Sequence, residues 1–330
     1  MSFAVVGAGG WGTAFARMLA NADHETLLWA REPELPEQIV QERENSTFLP
    51  GVSLPIEKLA ITNDLRATID ADVVVLAPPS FGMAGILDHL AAFGKTPHAM
   101  INLAKGLDPK TRRTMSELIL DRFPETSAFT LSGPSHAEEV GRDMPTAVVL
   151  AGRNLDLGER LQHELSTSRF RVYLSHDVKG VELCATVKNV IALATGIADG
   201  LEYGDNTRAA LITRGLAEMV RFGRAFHVDD ATFFGLSGLG DMVATCTSQH
   251  SRNRYVGQRL GRGESLDRIL SDMKMVAEGV HATRTVHEIS QEQGIEMPIT
   301  DAVARLLSGE ADPLSLVDEI MTRAPKREGE

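Results

Sequence analysis

One lysine lies in the middle of the most apolar segment of the chain, where a charge is costly. Lys188 stands in Thr186-Val187-Lys188-Asn189-Val190, and its neighbours on all sides are apolar or small. Burial disfavours the charged form of a lysine and lowers its pKa toward neutral pH, where the group can donate and accept a proton. A lysine on the solvent-facing stripe of a helix is the alternative. We predict an acid-base group at Lys188.

Two other polar clusters each follow a predicted strand. Lys105, in Asn102-Leu103-Ala104-Lys105-Gly106, would either point into a ligand crevice at the strand end or be a solvated loop lysine. The other cluster is Ser132-Gly133-Pro134-Ser135-His136-Ala137-Glu138-Glu139. Ser135 and Glu138 have the spacing of a capping box, so this segment also fits a turn followed by a capped helix. Both functions can coexist in one segment.

A fourth cluster combines an aspartate among glycines with a basic helix start. Gly238-Leu239-Gly240-Asp241 is followed by Ser251-Arg252-Asn253-Arg254. The glycines allow another group to approach the backbone near Asp241. Ser251 is a plausible N-cap, which puts Arg252 and Asn253 in the first turn of a helix. Free amides and an arginine at a helix start form a phosphate site, and an exposed basic helix start is the alternative.

A glycine-rich loop at the beginning of the chain indicates dinucleotide binding. Gly7-Ala8-Gly9-Gly10-Trp11-Gly12 lies between an apolar segment at residues 3–6 and a helical pattern. In this context Gly7 permits a tight turn, Gly9 lets the backbone approach a pyrophosphate, and Gly12 lets the helix pack close to the strand. The alternative is an ordinary glycine turn.

The first half of the chain alternates strands with helices. Apolar segments of strand length lie at residues 3–6, 25–29, 59–62, 72–77, 99–103, 127–131, 147–151 and 170–174. Helical patterns follow the glycine loop and fill residues 80–92 and 110–123. This alternation predicts an α/β, Rossmann-like doubly wound sheet that binds ligands at the carboxyl ends of its strands.

The second half carries helical patterns alone. They lie at residues 178–198, 206–227, 251–260, 279–293, 300–308 and 313–322. No convincing strand follows residue 175, so we predict an all-α C-terminal domain. We place a dinucleotide-binding domain at residues 1–176, a helical substrate and catalytic domain at 177–323, and a polar tail at 324–330.

The composition describes an acidic globular chain. Its 330 residues are 43% hydrophobic and 24% charged, which suits an enzyme of two domains. The net charge of -12 disfavours nucleic acid as a partner, and because no uncharged apolar run approaches the length of a membrane span we do not expect an integral membrane protein. A strand predicted from residue 3 leaves no room for a targeting peptide. Cys184 and Cys246 are expected to be buried reduced thiols, and we expect no metal site because metal-ligand spacings are absent.

Taken in order, these clusters resemble one family. From Gly7 to about Thr322 the chain is similar to the bacterial NAD(P)H-dependent glycerol-3-phosphate dehydrogenases. The resemblance rests jointly on the segments GAGGWGT, FLPG, AKG, SGPSHAEE, VKNVIA, ALITRGLAEM, GLGD, SRNR, AEG and EMPIT. It implies reversible reduction of dihydroxyacetone phosphate to sn-glycerol 3-phosphate with NADPH or NADH, for phospholipid synthesis in the cytoplasm. It also implies a C-terminal domain like that of 6-phosphogluconate dehydrogenase.

The resemblance further assigns roles to residues. It implies that Lys188 is the proton donor and acceptor. The implied substrate-binding positions are Lys105, Gly133, Ser135, Lys188, Asp241, Ser251, Arg252 and Asn253. The implied cofactor-binding positions, besides Gly7, Gly9 and Gly12 of the loop, are Gly10, Trp11, Arg31, Lys105, Ala137, Arg252, Val276 and Glu278. The chain departs from the family at Gly10, where serine is more usual, and at Ala104, where threonine is common, but the chemistry requires neither side chain.

The end of the second predicted strand bears on the choice between NADH and NADPH. An acidic residue there binds the ribose hydroxyls of NAD, whereas an arginine accommodates the extra phosphate of NADP. Arg31 comes first after the strand and Glu32 is next. We expect Arg31 to face the ribose and Glu32 to turn away, and hence NADPH to be used at least as well as NADH.

Two other functions compete with this one. A dehydrogenase of the same architecture that acts on another hydroxy acid or keto acid would not need the anion site at Ser251 in addition to both lysines. A redox-sensing regulator would keep the glycine loop, but it would not need both lysines and would carry a DNA-binding segment, which the charge of -12 does not support. The sequence is compatible with a homodimer but does not determine the oligomeric state.

Overall fold

The computed structural model describes residues 1–273, 276–322 and 327. Its N-terminal part is built on one eight-stranded sheet, and the strands coincide with the eight apolar segments expected from the sequence. The strands are β1 (Ser2–Val6), β2 (Glu25–Trp29), β3 (Leu59–Thr62), β4 (Val73–Leu76), β5 (Ala99–Asn102), β6 (Ser127–Ser132), β7 (Thr146–Gly152) and β8 (Phe170–Ser175). β4 and β5 are buried at every position, as expected for strands covered on both faces.

The strand order is β3-β2-β1-β4-β5-β6-β7-β8, and all neighbours are parallel except β6 and β7. The first six strands follow the Rossmann order, which leaves a crevice at the carboxyl ends where the order reverses between β1 and β4. The expected doubly wound sheet is confirmed. β7 runs antiparallel because residues 133–145 contain a single five-residue helix. Such a helix is about 7.5 Å long, which is too short to return the chain along β6.

Helices cover both faces of this sheet. They are α1 (Gly10–Asn21), α2 (Leu35–Glu42), α3 (Ser80–Ala91), α4 (Met115–Arg122), α5 (Ala137–Gly141) and α6 (Leu155–Leu165), with a 3₁₀ segment at Leu65–Asp70. α1 and α6 contribute to the core on one face, and α3 and α4 to the core on the other. α2 and α6 were not among the predicted helices, and α5 corresponds to the helix given as an alternative after Ser135.

α4 begins later than the predicted helix at residues 110–123. The Asp108 carboxylate accepts hydrogen bonds from the Thr111 N–H and hydroxyl, and this arrangement stabilises a turn. Thr114 then caps the helix, and Glu117 completes a capping box. Residues 110–114 therefore lie outside the helix, which is confirmed only from Met115.

The C-terminal part is helical, and no strand follows Ser175 in the residues that the structure describes. Its helices are α7 (Val178–Gly200), α8 (Asp205–Arg224), α9 (Asp230–Phe234), α10 (Asp241–Thr247), α11 (Arg252–Gly261), α12 (Leu266–Ser271), α13 (Glu278–Gln293), α14 (Pro298–Leu307) and α15 (Pro313–Met321). A π-helical turn, Leu236–Gly240, joins α9 to α10. α9, α10 and α12 were not predicted. The predicted tail at 324–330 lies outside the described residues except for Arg327, which is exposed.

α7 is the central helix of this part and is buried from Gly180 to Ala198. It packs against α8, α10, α11 and α13. Its contact with α11 is so close that a Cβ on Gly196 would lie 2.1 Å from the Arg254 carbonyl oxygen. By length and composition α7 could span a membrane, although charged residues such as Lys188 interrupt it, but its apolar window is 100% buried inside the protein. α7 is therefore a core helix.

Both cysteines are buried and free, as predicted. Burial raises the pKa of the Cys246 thiol to about 12 and raises that of Cys184 as well. Both thiols stay protonated at neutral pH.

Candidate functional site

A cleft of about 600 Å³ lies between the carboxyl edge of the sheet and the helical part. Its walls come from the loops that follow β1, β2, β4, β5 and β6, and from α7, α10, α11 and the start of α13. A wider depression of about 1020 Å³ beside α6 and β8 contains none of the predicted site residues. We therefore take the smaller cleft as the candidate site.

All the predicted site residues line this cleft except Gly133. Those that do are Gly7, Gly9, Gly10, Trp11, Gly12, Arg31, Lys105, Ser135, Ala137, Lys188, Asp241, Ser251, Arg252, Asn253, Val276 and Glu278. Gly133 is adjacent to them, because its carbonyl oxygen accepts a hydrogen bond from Lys105 Nζ at 2.9 Å. The fold thus gathers residues from both halves of the chain into one space.

The glycine loop has the geometry of an anion site. Gly7 has φ +120°, a conformation that favours glycine, and its N–H donates to the Trp29 carbonyl oxygen at 3.0 Å. A Cβ on Gly12 would lie 2.0 Å from the Gly7 carbonyl oxygen, whereas a Cβ on Gly9 would meet nothing within 4 Å. Gly9 is also the N-cap of α1 and provides no side-chain hydrogen bond. The first amides of α1 are left without a side-chain acceptor, which suits a pyrophosphate.

Two neighbours of these glycines complete the loop. The indole Nε1 of Trp11 is buried without a hydrogen-bond partner among the described residues. A Cβ on Gly10 would lie 2.7 Å from the Phe48 carbonyl oxygen, so the serine that is more usual here would force that carbonyl to move. A dinucleotide fits this loop because the loop offers uncapped amides and a free indole N–H to acceptor atoms.

Three charged side chains meet on the helical side of the cleft. Lys188 Nζ lies 2.8 Å from Asp241 Oδ1, and Lys105 Nζ lies 2.8 Å from Asp241 Oδ2. Lys188 also donates to Thr245 Oγ1 at 2.7 Å. The side chains of Lys188, Asp241 and Lys105 are 5%, 3% and 16% exposed. This geometry excludes the solvent-facing alternatives for both lysines.

The buried charges alter each other's protonation. Burial, aided by the charge of Lys105 and opposed by that of Asp241, lowers the pKa of Lys188 to about 8. Burial alone would raise the pKa of Asp241, but the two lysines outweigh it and hold the value below its usual range. Asp241 is therefore ionised at neutral pH, and Lys188 can gain and lose a proton close to neutral pH.

α11 begins at the edge of the cleft, as the sequence predicts. Ser251 is its N-cap, and the Ser251 hydroxyl oxygen accepts a hydrogen bond from the Arg254 N–H at 3.2 Å. Arg252 has an exposed side chain and forms no hydrogen bond or ion pair within residues 1–273 and 276–322. Asn253, in contrast, donates to Asn189 Oδ1 and accepts from the Gly279 N–H, both at 2.9 Å. Arg252 is thus available to an anion, whereas the Asn253 side chain joins helices.

Ser135 does not form the capping box that its spacing with Glu138 suggests. α5 begins at Ala137 with His136 as its N-cap and with no side-chain capping bond. The Ser135 hydroxyl instead donates to the Gly133 carbonyl oxygen at 2.9 Å and lies 3.4 Å from Lys105 Nζ. The capping-box alternative is wrong because this hydroxyl faces Lys105.

Arg31 and Glu32 both line the mouth of the cleft. Arg31 Nη2 lies 2.8 Å from Glu32 Oε1, and the two side chains are 81% and 37% exposed. The expectation that Glu32 turns away is wrong, because its carboxylate pairs with Arg31 at the cleft. The guanidinium and the carboxylate therefore lie side by side at the mouth of the cleft.

Glu278 closes the cleft from the helical side. Its carboxylate accepts hydrogen bonds from the Ser80 N–H at 2.8 Å and from the Ser80 hydroxyl at 2.5 Å, and so caps the start of α3. Burial raises the pKa of Glu278, and the bonds from Ser80 oppose that rise. Val276 and Ala137 are half-buried in the adjacent walls. Glu278 is thus a contact between the helical part and the sheet part at the edge of the cleft.

Some residues of the site were not foreseen. Asn189 donates to the Lys105 carbonyl oxygen at 2.9 Å, and Thr245 is bonded to Lys188. His136 and His250 also line the cleft, with ring centroids 6.1 Å apart. Asn189 is next to Lys188 in the sequence, but no pattern there indicates a partner 84 residues away. The described residues contain no group of three or more His, Cys, Asp or Glu side chains that could hold a metal ion.

The fold and the cleft define a Rossmann-type nucleotide-binding protein with a helical C-terminal part. Residues 2–157 match the family model described as NAD-dependent glycerol-3-phosphate dehydrogenase N-terminus, and residues 177–318 match the corresponding C-terminus. The chain belongs to the NAD-dependent glycerol-3-phosphate dehydrogenase family, which confirms the resemblance.

Individual relatives agree with this assignment. Chains named glycerol-3-phosphate dehydrogenase [NAD(P)+] from Chlorobium limicola and Salinibacter ruber are 44% and 45% identical over 99% of this chain, and the matches cover 99% and 97% of those proteins. The crystal structure of glycerol-3-phosphate dehydrogenase from Coxiella burnetii superposes with a TM-score of 0.94 at 38% identity, covering 98% of this chain and 99% of that one. A ketopantoate reductase from Ralstonia eutropha, at 17% identity and a TM-score of 0.63, shares the fold alone.

Proposed function

We propose that this protein catalyses the reversible NAD(P)H-dependent reduction of dihydroxyacetone phosphate to sn-glycerol 3-phosphate. The observation that carries the proposal is the pair of lysines on Asp241 together with Arg252 at a capped helix start. The reduction of a phosphorylated ketone requires a proton donor, a positive charge near the developing alkoxide and a hold on the phosphate. The cleft offers a separate group for each requirement.

Lys188 is the proposed proton donor. In reduction, its ammonium gives a proton to the former ketone oxygen, which becomes a hydroxyl group, and Lys188 is left neutral until it takes a proton from solvent. In oxidation, the neutral amine removes that proton. A pKa of about 8 places both forms within reach at physiological pH. Asp241 and Thr245 hold Nζ in place during either change.

Lys105 is the proposed electrostatic partner of Lys188. Its Nζ is fixed by Asp241, by the Gly133 carbonyl oxygen and by the nearby Ser135 hydroxyl. A cation already held in a largely buried site stabilises a developing negative charge without reorganisation. In this proposal Gly133 and Ser135 act on the substrate by fixing Lys105 or by contacting the substrate beside it.

The glycine loop, Trp11, Arg31 and the walls at Ala137, Val276 and Glu278 are the proposed cofactor contacts. When bound, NADPH or NADH supplies a hydride to the ketone carbon from its nicotinamide ring. The chain itself binds the pyrophosphate at the start of α1 and orients the nucleotide across the carboxyl ends of β1 and β4.

The start of α11 is the proposed phosphate site of the substrate. Arg252 supplies an exposed guanidinium without a partner in the described residues, and the N–H groups of the first turn favour an anion. The Asn253 side chain fixes α11 against α7 and α13 through its hydrogen bonds to Asn189 and to the Gly279 N–H. In this proposal Asn253 supports the phosphate site through these contacts and can also contact the substrate.

A parallel assay tests the proposal. Loss of NADPH or NADH absorbance is followed after addition of dihydroxyacetone phosphate, and in separate reactions after addition of non-phosphorylated keto acids. We expect turnover with the phosphorylated ketone alone. Turnover with a keto acid and none with dihydroxyacetone phosphate would assign the cleft to another dehydrogenase reaction.

The wider setting of this activity is part of the proposal. We place the product in glycerophospholipid synthesis and the protein in the cytoplasm, with a homodimer as the assembly to be tested by light scattering. The domain boundary is placed at residues 176–177, between the end of β8 at Ser175 and the start of α7 at Val178.

A further inference from the structure

A buried carboxylate outside the cleft joins the two parts of the protein. Glu182, in the second turn of α7, is 2% exposed and is not part of the cleft wall. It accepts hydrogen bonds from the Ser116 N–H at 2.9 Å, the Ser116 hydroxyl at 2.5 Å and the Thr130 hydroxyl at 3.0 Å. Asn102 Nδ2 is a further donor at 3.3 Å. Such a carboxylate is costly to bury, and here several donors from the sheet part compensate for the lost water.

One of these donors leads directly to Lys105. Asn102 ends β5, and its side chain donates to the Ala104 carbonyl oxygen at 3.1 Å and accepts from the Ala104 N–H at 2.9 Å. Glu182 thus orients an amide that fixes the backbone one residue before Lys105.

The same helix holds this segment at a second point. Asn189 of α7 donates to the Lys105 carbonyl oxygen at 2.9 Å. Lys188 lies between these two contacts along α7 and shares Asp241 with Lys105. The helix that carries one lysine therefore determines where the other one stands.

We propose that Glu182 is a positioning residue for the lysine pair: by anchoring α7 to Asn102, Ser116 and Thr130 it sets the distance between Lys105 and Lys188. This inference rests on the proposed reduction of dihydroxyacetone phosphate. Loss of the anchor would let the Lys105 segment shift from Asp241, and a misplacement of about 1 Å in a catalytic site costs up to roughly 100-fold in rate.

The charges around Lys188 give this shift a distinct readout. Burial and the charge of Lys105 lower the pKa of Lys188, while the charge of Asp241 raises it. The other titratable groups near it are the Cys246 thiol, which stays protonated, and the imidazole of His136, whose pKa is lowered by burial and by both lysines. If Lys105 moves away, its repulsion of the protonated Lys188 amine, which lowers the pKa of Lys188, is weakened. The pKa of Lys188 then rises. The fall of kcat for reduction on the alkaline side of its pH profile (the alkaline limb) therefore moves to higher pH.

Glu218 provides a matched control. It is a fully buried carboxylate that caps another helix, α14, through bonds from the Ile299 N–H at 2.5 Å and the Thr300 N–H at 3.1 Å. Both helices that it joins, α8 and α14, belong to the helical part, and neither Glu218 nor its partners line the cleft. Glu182→Gln and Glu218→Gln thus make the same chemical change, but only the first touches the Lys105 segment.

The experiment compares the two variants with the wild-type protein in melting temperature, NADPH affinity by fluorescence titration, and kcat for dihydroxyacetone phosphate reduction as a function of pH. Both variants are expected to melt earlier. Glu182→Gln is expected to lose about 10- to 100-fold in kcat and to move the alkaline limb upward, with NADPH affinity retained, whereas Glu218→Gln keeps the wild-type kcat and profile.

Equal kcat values and equal pH profiles in the two variants would overturn the proposal and leave Glu182 as a helix cap. If Glu182→Gln does not fold, Asn102→Ala replaces it, because that change removes the link to Ala104 and leaves the bonds of Ser116 and Thr130 in place. A wild-type kcat and profile in Asn102→Ala would likewise overturn the proposal. An inactive wild-type protein would instead contradict the proposed function, so the two failures are distinguishable.

Discussion

Lys105 and Lys188 bind opposite oxygens of the same carboxylate, each at 2.8 Å. Asp241 supplies one negative charge to two ammonium groups, so the trio carries a net positive charge when both lysines are protonated. That surplus lies at the carboxyl end of the sheet, where the substrate oxygen would become negative.

The pH dependence of turnover should report Lys188. Because the protonated amine is the donor in reduction, kcat for reduction should fall as pH rises through about 8, and kcat for oxidation should rise through the same pH. Asp241→Asn removes a charge that raises the pKa of Lys188, so the reduction limb should move to lower pH. Initial rates in both directions from about pH 6 to about pH 10 measure this. An unshifted limb in Asp241→Asn would show that another group titrates.

Lys188→Ala should lose most of its turnover, about 100- to 10,000-fold, while it still binds NADPH. The matched control is Lys179→Ala on the same helix, since the Lys179 side chain is 44% exposed, lies 3.8 Å from Glu117 and 5.1 Å from the Phe226 ring, and is remote from the cleft wall. Stopped-flow or steady-state rates and a cofactor titration provide the readouts. A Lys188→Ala protein as fast as Lys179→Ala would exclude Lys188 as the acid-base group.

Arg252→Ala should weaken substrate binding through loss of the phosphate contact. A hydrogen bond to a charged group contributes about 1.5–3 kcal/mol, so KM for dihydroxyacetone phosphate should rise roughly 10- to 100-fold. Inorganic phosphate should compete with substrate in the wild-type protein and compete less in the variant. Arg262→Ala, an exposed position at the opposite end of α11, should change neither value. NADPH affinity is measured separately, because Arg252 also lies beside the cofactor wall. An unchanged KM in Arg252→Ala would place the phosphate elsewhere.

Substitution of Arg31 and substitution of Glu32 should change KM for NADPH in opposite directions. Arg31→Ala removes the guanidinium that would grip a 2′-phosphate, so KM for NADPH should rise while KM for NADH stays nearly constant. Glu32→Ala frees Arg31 from its ion pair and removes a carboxylate that repels the phosphate, so KM for NADPH should fall. Equal effects of Arg31→Ala on both cofactors would show that Arg31 does not contact the 2′-phosphate.

Alanine substitutions at two glycines of the loop should have different effects, one on stability and the other on NADPH affinity. Gly12→Ala puts a methyl group 2.0 Å from the Gly7 carbonyl oxygen, so α1 must move and the melting temperature should fall. Gly9→Ala meets nothing within 4 Å, so stability should be kept while NADPH affinity falls, because the methyl group enters the space of the nucleotide. Wild-type NADPH affinity in a stable Gly9→Ala protein would contradict this placement of the pyrophosphate.

Much of the fold could be predicted from local patterns. Strands such as β4 are short runs of β-branched residues bounded by turn residues, and helices such as α8 and α13 are long enough to show their periodicity. Short helices such as α5 and α10 carry too few residues for a period to emerge. The antiparallel β7 depends on how far a short connection can travel, which no pattern within the strand reveals.

Site residues could be predicted where a charged residue type is unexpected in the surrounding sequence or follows a helix-capping residue. Lys188 in an apolar helix and Arg252 behind a capping serine are such residues, and the structure places both in the cleft. Ser135 shows the limit of this approach, because its spacing with Glu138 fits a capping box and its hydroxyl faces Lys105 instead. The partners of Asn189 and Glu182 lie 84 and 66 residues away and emerge only from the packing of the helical part on the sheet.

Two helices of the sheet part donate hydrogen bonds from their first turns to carboxylates of the helical part. The Ser80 N–H of α3 donates to Glu278, and the Ser116 N–H of α4 donates to Glu182. The halves of this chain are therefore not interchangeable modules. In a chimaera that joins this sheet part to the helical part of a distant relative, the first turns of α3 and α4 come from this chain. The carboxylates that accept their hydrogen bonds must then come from the relative. We expect a chimaera joined at residues 176–177 to fold only when the incoming helical part carries a glutamate at both corresponding positions.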